Sequence, residues 1–78
     1  MGEGERETLR AHLAAALAAL DAPHREVFLL KEVEGLSHAE IASILGLPLG
    51  TVWSRLSYAR KKLREQLREA GESAAPPA

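Results

Sequence analysis

The chain has 78 residues, 46% of them hydrophobic, with no cysteine and a formal net charge of −1. That length suits a single domain, which buries roughly 60% of the surface its unfolded chain exposes and has no room for a core plus a deep catalytic cavity. The lack of cysteine excludes disulfides and thiolate metal sites and is compatible with a reducing cytoplasm; no apolar run nears the ~20 residues that cross a bilayer, and the N-terminus is too polar for a signal peptide.

Residues 1–6 are rich in Gly and Glu and are expected to be frayed, with the folded domain running over 7–70. From Glu7 to Leu20, Leu9, Leu13, Leu17 and Leu20 recur at helical spacing with alanines between them, which predicts an amphipathic helix over 8–20 that serves as core or as a dimer face. Asp21-Ala22-Pro23 breaks it. Pro23 suits the first turn of a second helix, 23–34, with Asp21 or Ala22 capping and Gly35 closing it in a left-handed conformation. Ser37 followed by Glu40 forms a capping box, and Leu36 with Ile41 forms the matching hydrophobic staple. A short third helix, 37–45, follows and stops at Gly46. Pro48 disfavours helix at Leu47, so Leu47-Pro48-Leu49-Gly50 reads as a turn. A longer fourth helix covers about 50–69, and the Pro/Ala-rich residues 71–78 read as a disordered tail. The predicted class is all-α, a small four-helix domain.

A short helix, a tight Gly-containing turn and a longer helix describe a helix-turn-helix. Ser37 and Glu40 start it. Ala42 keeps the first helix slim where the second approaches, and Gly46 supplies the positive φ of the turn. Ile41, Leu45, Val52 and Leu56 can close the angle between the helices. At ~100° per residue, Val52, Leu56, Ala59, Leu63 and Leu67 fall on one stripe of the fourth helix, which must face the core. Gly50, Ser54, Ser57, Tyr58 and Lys61 fall opposite. Trp53, Arg60 and Arg64 flank one side, and Thr51, Arg55 and Lys62 the other.

Charge follows the same division. Residues 1–36 carry four basic and seven acidic side chains, and residues 37–49 carry only Glu40. Residues 50–70 carry Arg55, Arg60, Lys61, Lys62, Arg64 and Arg68 against Glu65 and Glu69. A single basic helix on an acidic body can supply the electrostatic footprint for a phosphate backbone. The outward face is small and polar near its N-terminal end and increasingly charged beyond it. That order suits a recognition helix whose first turns enter the major groove and whose later turns pass the phosphates.

Several blocks carry a family resemblance: Arg25-Glu26-Val27-Phe28-Leu29-Leu30, Glu34-Gly35-Leu36-Ser37, Glu40-Ile41-Ala42, Leu47 through Leu56, and Ala59-Arg60. Over about Ala19 to Leu67 the chain resembles region four of bacterial sigma factors of the extracytoplasmic-function group. The resemblance implies sequence-specific binding of double-stranded DNA at the upstream (minus-35) promoter element during transcription initiation. It also implies contact with the β flap of RNA polymerase, a possible anti-sigma factor partner, and residence in the bacterial cytoplasm on the nucleoid. By position it assigns Thr51, Trp53, Ser54, Arg55, Tyr58 and Arg60 to the DNA face, which the wheel and charge extend to Ser57, Lys61 and Lys62. Trp53 stands where the family usually has Lys or Arg, and Tyr58 where Arg is frequent. A complete sigma factor also has an N-terminal domain that melts the promoter, which this chain lacks, so an excised domain or a free-standing region-four-like protein is expected.

Other readings stand beside this one. The basic cluster also suits a solvated helix end beside the macrodipole, and Trp53 suits either a DNA contact or a cover for the core edge. His12, His24 and His38 share no metal-ligand spacing, and His38 is expected to face solvent. Ser37, Ser54 and Ser57 have no His or Asp arranged near them as a nucleophile requires, so neither an enzyme nor a cofactor is expected. A sigma-like protein-interaction module and a response-regulator effector domain are the alternative functions. On the second helix Leu29, Leu30 and Val33 share one side, with Phe28 nearly opposite. The domain's own core, with Leu13, Leu17 and Ile41, can take one side. Phe28, Leu29 and Val33 are therefore the expected partner-binding residues, in a groove between the first two helices.

Overall fold

The computed structural model describes residues 3–74, with side-chain surroundings for 4–70. Four helices follow one another: α1 (Glu3–Ala18), α2 (Ala22–Glu32), α3 (His38–Leu45) and α4 (Leu49–Ala74), with no strand among the described residues. The fold is all-α and contains a helix-turn-helix formed by α3 and α4. α4 is the spine. It packs against all three other helices, and α2 also packs against α3.

The helix ends follow local chemistry. Ser37 takes an extended conformation and caps α3, its hydroxyl accepting from the Glu40 backbone N–H at 3.1 Å. The Glu40 carboxylate accepts the Ser37 backbone N–H in return at 2.9 Å, so two otherwise orphaned donors are satisfied. Gly46 ends α3 at φ 66°, and the N–H of Leu47 reaches back to the Ala42 carbonyl at 2.9 Å. Gly35 does the same after α2, at φ 71°, with the Leu36 N–H on the Leu30 carbonyl at 3.1 Å.

Two predictions arise here. A Cβ added at Gly46 meets nothing within 4 Å, so Gly46→Ala carries only the backbone penalty of the left-handed region, about 1–2 kcal/mol. Thermal melting should show that loss, and an unchanged midpoint would rule out the strained turn. The second concerns acid. Hydrogen bonds from the backbone N–H and then the side chain of Ser37, with a smaller contribution from Lys31, hold the Glu40 carboxyl below its ordinary value. A depressed folded value stabilises the fold above the unfolded glutamate range, about pH 4.3, and the benefit is lost as the pH falls through the lower folded value. The stability gap between the native chain and Glu40→Gln should therefore narrow on acidification below about pH 4.3. A gap that widened would reverse the assignment.

The helices at either end of the chain are longer than expected. α1 begins at Glu3, where residues 1–6 were expected to be frayed; Met1 and Gly2 lie outside the described residues. The Thr8 hydroxyl donates to the Gly4 carbonyl at 2.8 Å and Arg10 pairs with Glu7 at 3.2 Å, so the first turns carry their own local bonds. α4 runs to Ala74, past the Gly71 at which the tail was expected to begin; residues 75–78 lie outside the described residues. A helix already nucleated over twenty residues propagates at little cost, and one glycine in it costs only about 1 kcal/mol.

The core has two lobes joined along α4. Val27, Ile41, Val52 and Leu56 are fully or nearly fully buried at the junction of α2, α3 and α4, with Leu30, Leu36, Ala42, Leu45 and Leu47 packed around them. Ala16, Leu20, Ala59 and Leu63 form the second lobe between α1 and α4, with Leu17, Phe28 and Leu67 against it. The α4 stripe is thus the expected one. The α1 stripe is not. Leu9 is 56% exposed and Leu13 40% exposed, while Ala16 is buried. α1 crosses α4 only through its C-terminal half, where a small alanine allows close approach, and its N-terminal turns run beyond the core.

Candidate nucleic-acid interface

The outer face of α4 is built by the same periodicity that buries its stripe. With Val52, Leu56 and Ala59 turned fully inward, Gly50, Ser54, Ser57, Tyr58 and Lys61 are all exposed. Thr51 and Arg55 lie half-buried on one flank with Lys62, and Trp53, 51% exposed, and the half-buried Arg60 lie on the other. The expected interface residues therefore share one continuous surface along the first four turns of α4. The Ser54 hydroxyl donates to the Gly50 carbonyl at 3.0 Å, which leaves its oxygen able to act only as an acceptor toward a further partner.

The cations of this surface are not equivalent. Arg60 donates to Glu32 of α2 at 3.0 Å, a pair in which both side chains are about two-fifths exposed. Its guanidinium must leave Glu32 or share it to meet a phosphate. Lys62 stands 3.7 Å from Glu65 and 5.8 Å from the centre of the Tyr58 ring, so its charge lies over the helix flank. Arg55 and Lys61 are the basic side chains that combine placement on this face with no ion pair among the described residues.

Two aromatic pairs were not legible beforehand. His38, expected to face solvent, is half-buried with its ring centroid 4.0 Å from that of Trp53, the planes tilted by 42°. The helix-turn-helix angle brings the first residue of α3 onto the second turn of α4. The His38 Nε2 is buried without a hydrogen-bond partner among the described residues. His24 of α2 lies likewise on Tyr58, centroids 4.3 Å apart, and its Nδ1 stands 4.0 Å from Asp21, too far for a hydrogen bond. Arg25 stands in one of the resemblance blocks, but its structural role was not readable there. It donates to the Leu20 carbonyl at 3.1 Å and the Leu17 carbonyl at 3.4 Å, closing the C-terminal end of α1.

The expected partner-binding set is divided by the fold. Phe28 packs on the α1–α4 lobe. Leu29 is half-buried, and Val33 is 71% exposed just past the end of α2. The side of α2 expected to hold Leu29, Leu30 and Val33 together is instead centred on Val27, which is fully buried with Ile41, Val52 and Leu56, and on Leu30, which packs against them. An apolar groove does lie nearby. It is about 220 Å³, lined by Leu13, Phe28, Arg60, Leu63, Arg64 and Leu67, and runs between α1, α2 and α4 rather than between α1 and α2 alone.

Residues 10–63 match the family described as sigma-70, region 4. The chain belongs to this family. It is 46% identical over 59 residues to the ECF RNA polymerase sigma factor SigE of Mycolicibacterium smegmatis, covering 76% of this chain and 23% of that protein. It is 49% identical over 59 residues to the ECF RNA polymerase sigma factor SigL of Mycobacterium tuberculosis, covering 76% and 33%. To the RNA polymerase sigma factor CarQ of Myxococcus xanthus it is 42% identical over 62 residues, covering 80% and 36%. The chain spans about a quarter to a third of the length of these relatives. The match is to sigma region four and not to the response-regulator effector domain considered as a rival. In this region-four domain α3 and α4 are the helix-turn-helix. No helix among the described residues is long and apolar enough to cross a membrane.

Proposed function

We propose that this region-four domain binds double-stranded promoter DNA at the upstream (minus-35) element and thereby directs RNA polymerase to start transcription, in the bacterial cytoplasm on the nucleoid. The observation that carries the reading is the face of α4. Its first turns present exposed small polar side chains, the half-open rings of Trp53 and Tyr58 and the half-buried Arg55 on one face, and its remaining basic residues lie further along. Thr51, Trp53, Ser54, Arg55, Ser57 and Tyr58 then enter the major groove, and Lys61, Lys62 and Arg60 meet phosphates. The role is one of binding, and no catalytic step is assigned to it.

Selection of bound duplexes from a random pool, followed by affinity measurements at two salt concentrations, tests this. A selected sequence and a steep salt dependence are expected. Weak, sequence-independent binding would instead favour a protein-interaction module.

The groove of Leu13, Phe28, Leu63 and Leu67 is the surface we assign to the polymerase β flap, and to any anti-sigma factor that competes with it. Leu13 is 40% exposed and lies outside the buried lobes, so Leu13→Asp should leave the melting temperature and DNA affinity nearly constant. It should also abolish recovery of the domain with core polymerase. If polymerase binding survived, the flap would have to dock elsewhere.

A further inference from the structure

Trp53 stands on a recognition surface with few means of reading bases by hydrogen bonds. Between Leu49 and Ala59 the side chains are Leu, Thr, Val, Trp, Ser, Arg, Leu, Ser, Tyr and Ala, with Gly50 bare. Guanine and adenine are distinguished in the major groove chiefly by bidentate contacts from Arg or Lys and from Asn or Gln. In that stretch only Arg55 can make one, and it sits on a flank. The nearby Arg60 is engaged with Glu32 at 3.0 Å, and the Ser54 hydroxyl proton is spent on the Gly50 carbonyl at 3.0 Å.

What the surface does present is a large apolar ring held in place. The indole is 51% exposed, and the His38 imidazole packs against it at 4.0 Å. His38 is the first residue of α3, and the reciprocal Ser37–Glu40 hydrogen bonds at 3.1 and 2.9 Å anchor that turn. The His38 Nε2 makes no hydrogen bond among the described residues, and the imidazole acts here as a packing surface. A ring fixed on one side and half open to water is pre-organised for an apolar partner. The apolar feature of the major groove is the 5-methyl group of thymine.

We propose that Trp53 is a specificity-determining residue that packs its exposed indole against the 5-methyl group of thymine, and that His38 is the positioning residue that holds the indole for it. This rests on the DNA-reading assignment above. It adds an apolar contact to the one bidentate reader, Arg55, that the first turns of α4 supply.

The test compares thymine with deoxyuridine, which differ only by the methyl group. Each thymine of the selected duplex is replaced singly by deoxyuridine, and affinity is measured for the native chain, Trp53→Ala, Trp53→Phe, His38→Ala and His38→Phe. Loss of one buried methyl-sized group corresponds to about fourfold in affinity. The native chain is expected to lose about that much at one or two positions, with its salt slope unchanged because no phosphate contact is touched. Trp53→Ala should bind the thymine and deoxyuridine duplexes alike, and Trp53→Phe should keep part of the preference. His38→Ala should shrink the preference, and His38→Phe should restore it. Trp53 is the only tryptophan, so its emission should shift more on binding the thymine duplex than on binding the deoxyuridine duplex. Equal tolerance of deoxyuridine at every position by the native chain would overturn the proposal. So would a methyl preference that persists in a folded Trp53→Ala chain. A native chain that selects no sequence at all would instead overturn the DNA-reading assignment, and the proposal with it.

Discussion

Replacement of Ile41 by alanine is expected to destabilise the domain by about 3 kcal/mol, within the ~2–5 kcal/mol range of large-to-small core substitutions. Ile41 is completely buried where α2, α3 and α4 meet, against Val27, Val52 and Leu56. Alanine there removes apolar burial and leaves a cavity in the contact that sets the angle of the helix-turn-helix. Total stability is small for a domain of this length, of order 5 kcal/mol at the low end. At about 4–8 °C per kcal/mol the melting midpoint should fall by roughly 15 °C. Ile44, three residues on, supplies the control. It is 61% exposed, so Ile44→Ala should change stability by no more than about 0.5 kcal/mol. Thermal unfolding followed by circular dichroism compares the two. Equal losses at both positions would mean that the α3 packing is misassigned.

The largest effects on DNA binding should come from Arg55 and Lys61, and the two should differ in kind. Arg55 lies half-buried on the flank of the second turn of α4, close to the tip that enters the groove. It has no ion-pair partner among the described residues. Arg55→Ala, and to a smaller degree Ser54→Ala, should reduce discrimination between the selected sequence and its single-base variants. The reduction at Arg55 should be about 1–3 kcal/mol, or roughly five- to 150-fold. Lys61 is exposed and nearly two turns further along. Lys61→Ala should weaken binding to all sequences alike and lower the slope of log affinity against log salt by about 0.9. Arg60→Ala should have a milder effect than its position suggests, because its guanidinium is already engaged by Glu32 at 3.0 Å. Affinities on matched and mismatched duplexes at several salt concentrations separate these roles. If Arg55→Ala left sequence preference intact, base reading would have to be assigned elsewhere on the helix.

Both expectations draw on features that differ in how legible they were before the fold was known. The capping box at Ser37 and Glu40, the left-handed glycines 35 and 46, and the inward stripe of α4 were all readable from residue order. So was the all-α class, and the spacing of the blocks pointed to region four. Each of these rests on interactions within about one helical turn, where 3.6-residue periodicity and single-residue backbone preferences decide the outcome. The unread features join residues far apart in the chain. Arg60 meets Glu32 across 28 positions, His38 meets Trp53 across the turn, and His24 meets Tyr58 from a different helix. Leu9 and Leu13 obey the same spacing as Leu20, yet only Leu20 is buried, because periodicity says which side of a helix is apolar and not how far along it a neighbour reaches. The apolar groove of Leu13, Phe28, Leu63 and Leu67 has α4 as one wall for the same reason. Where α1 and α2 cross α4 depends on the shapes of Ala16, Phe28 and Ala59 packed together, and that complementarity exists only once the helices have met.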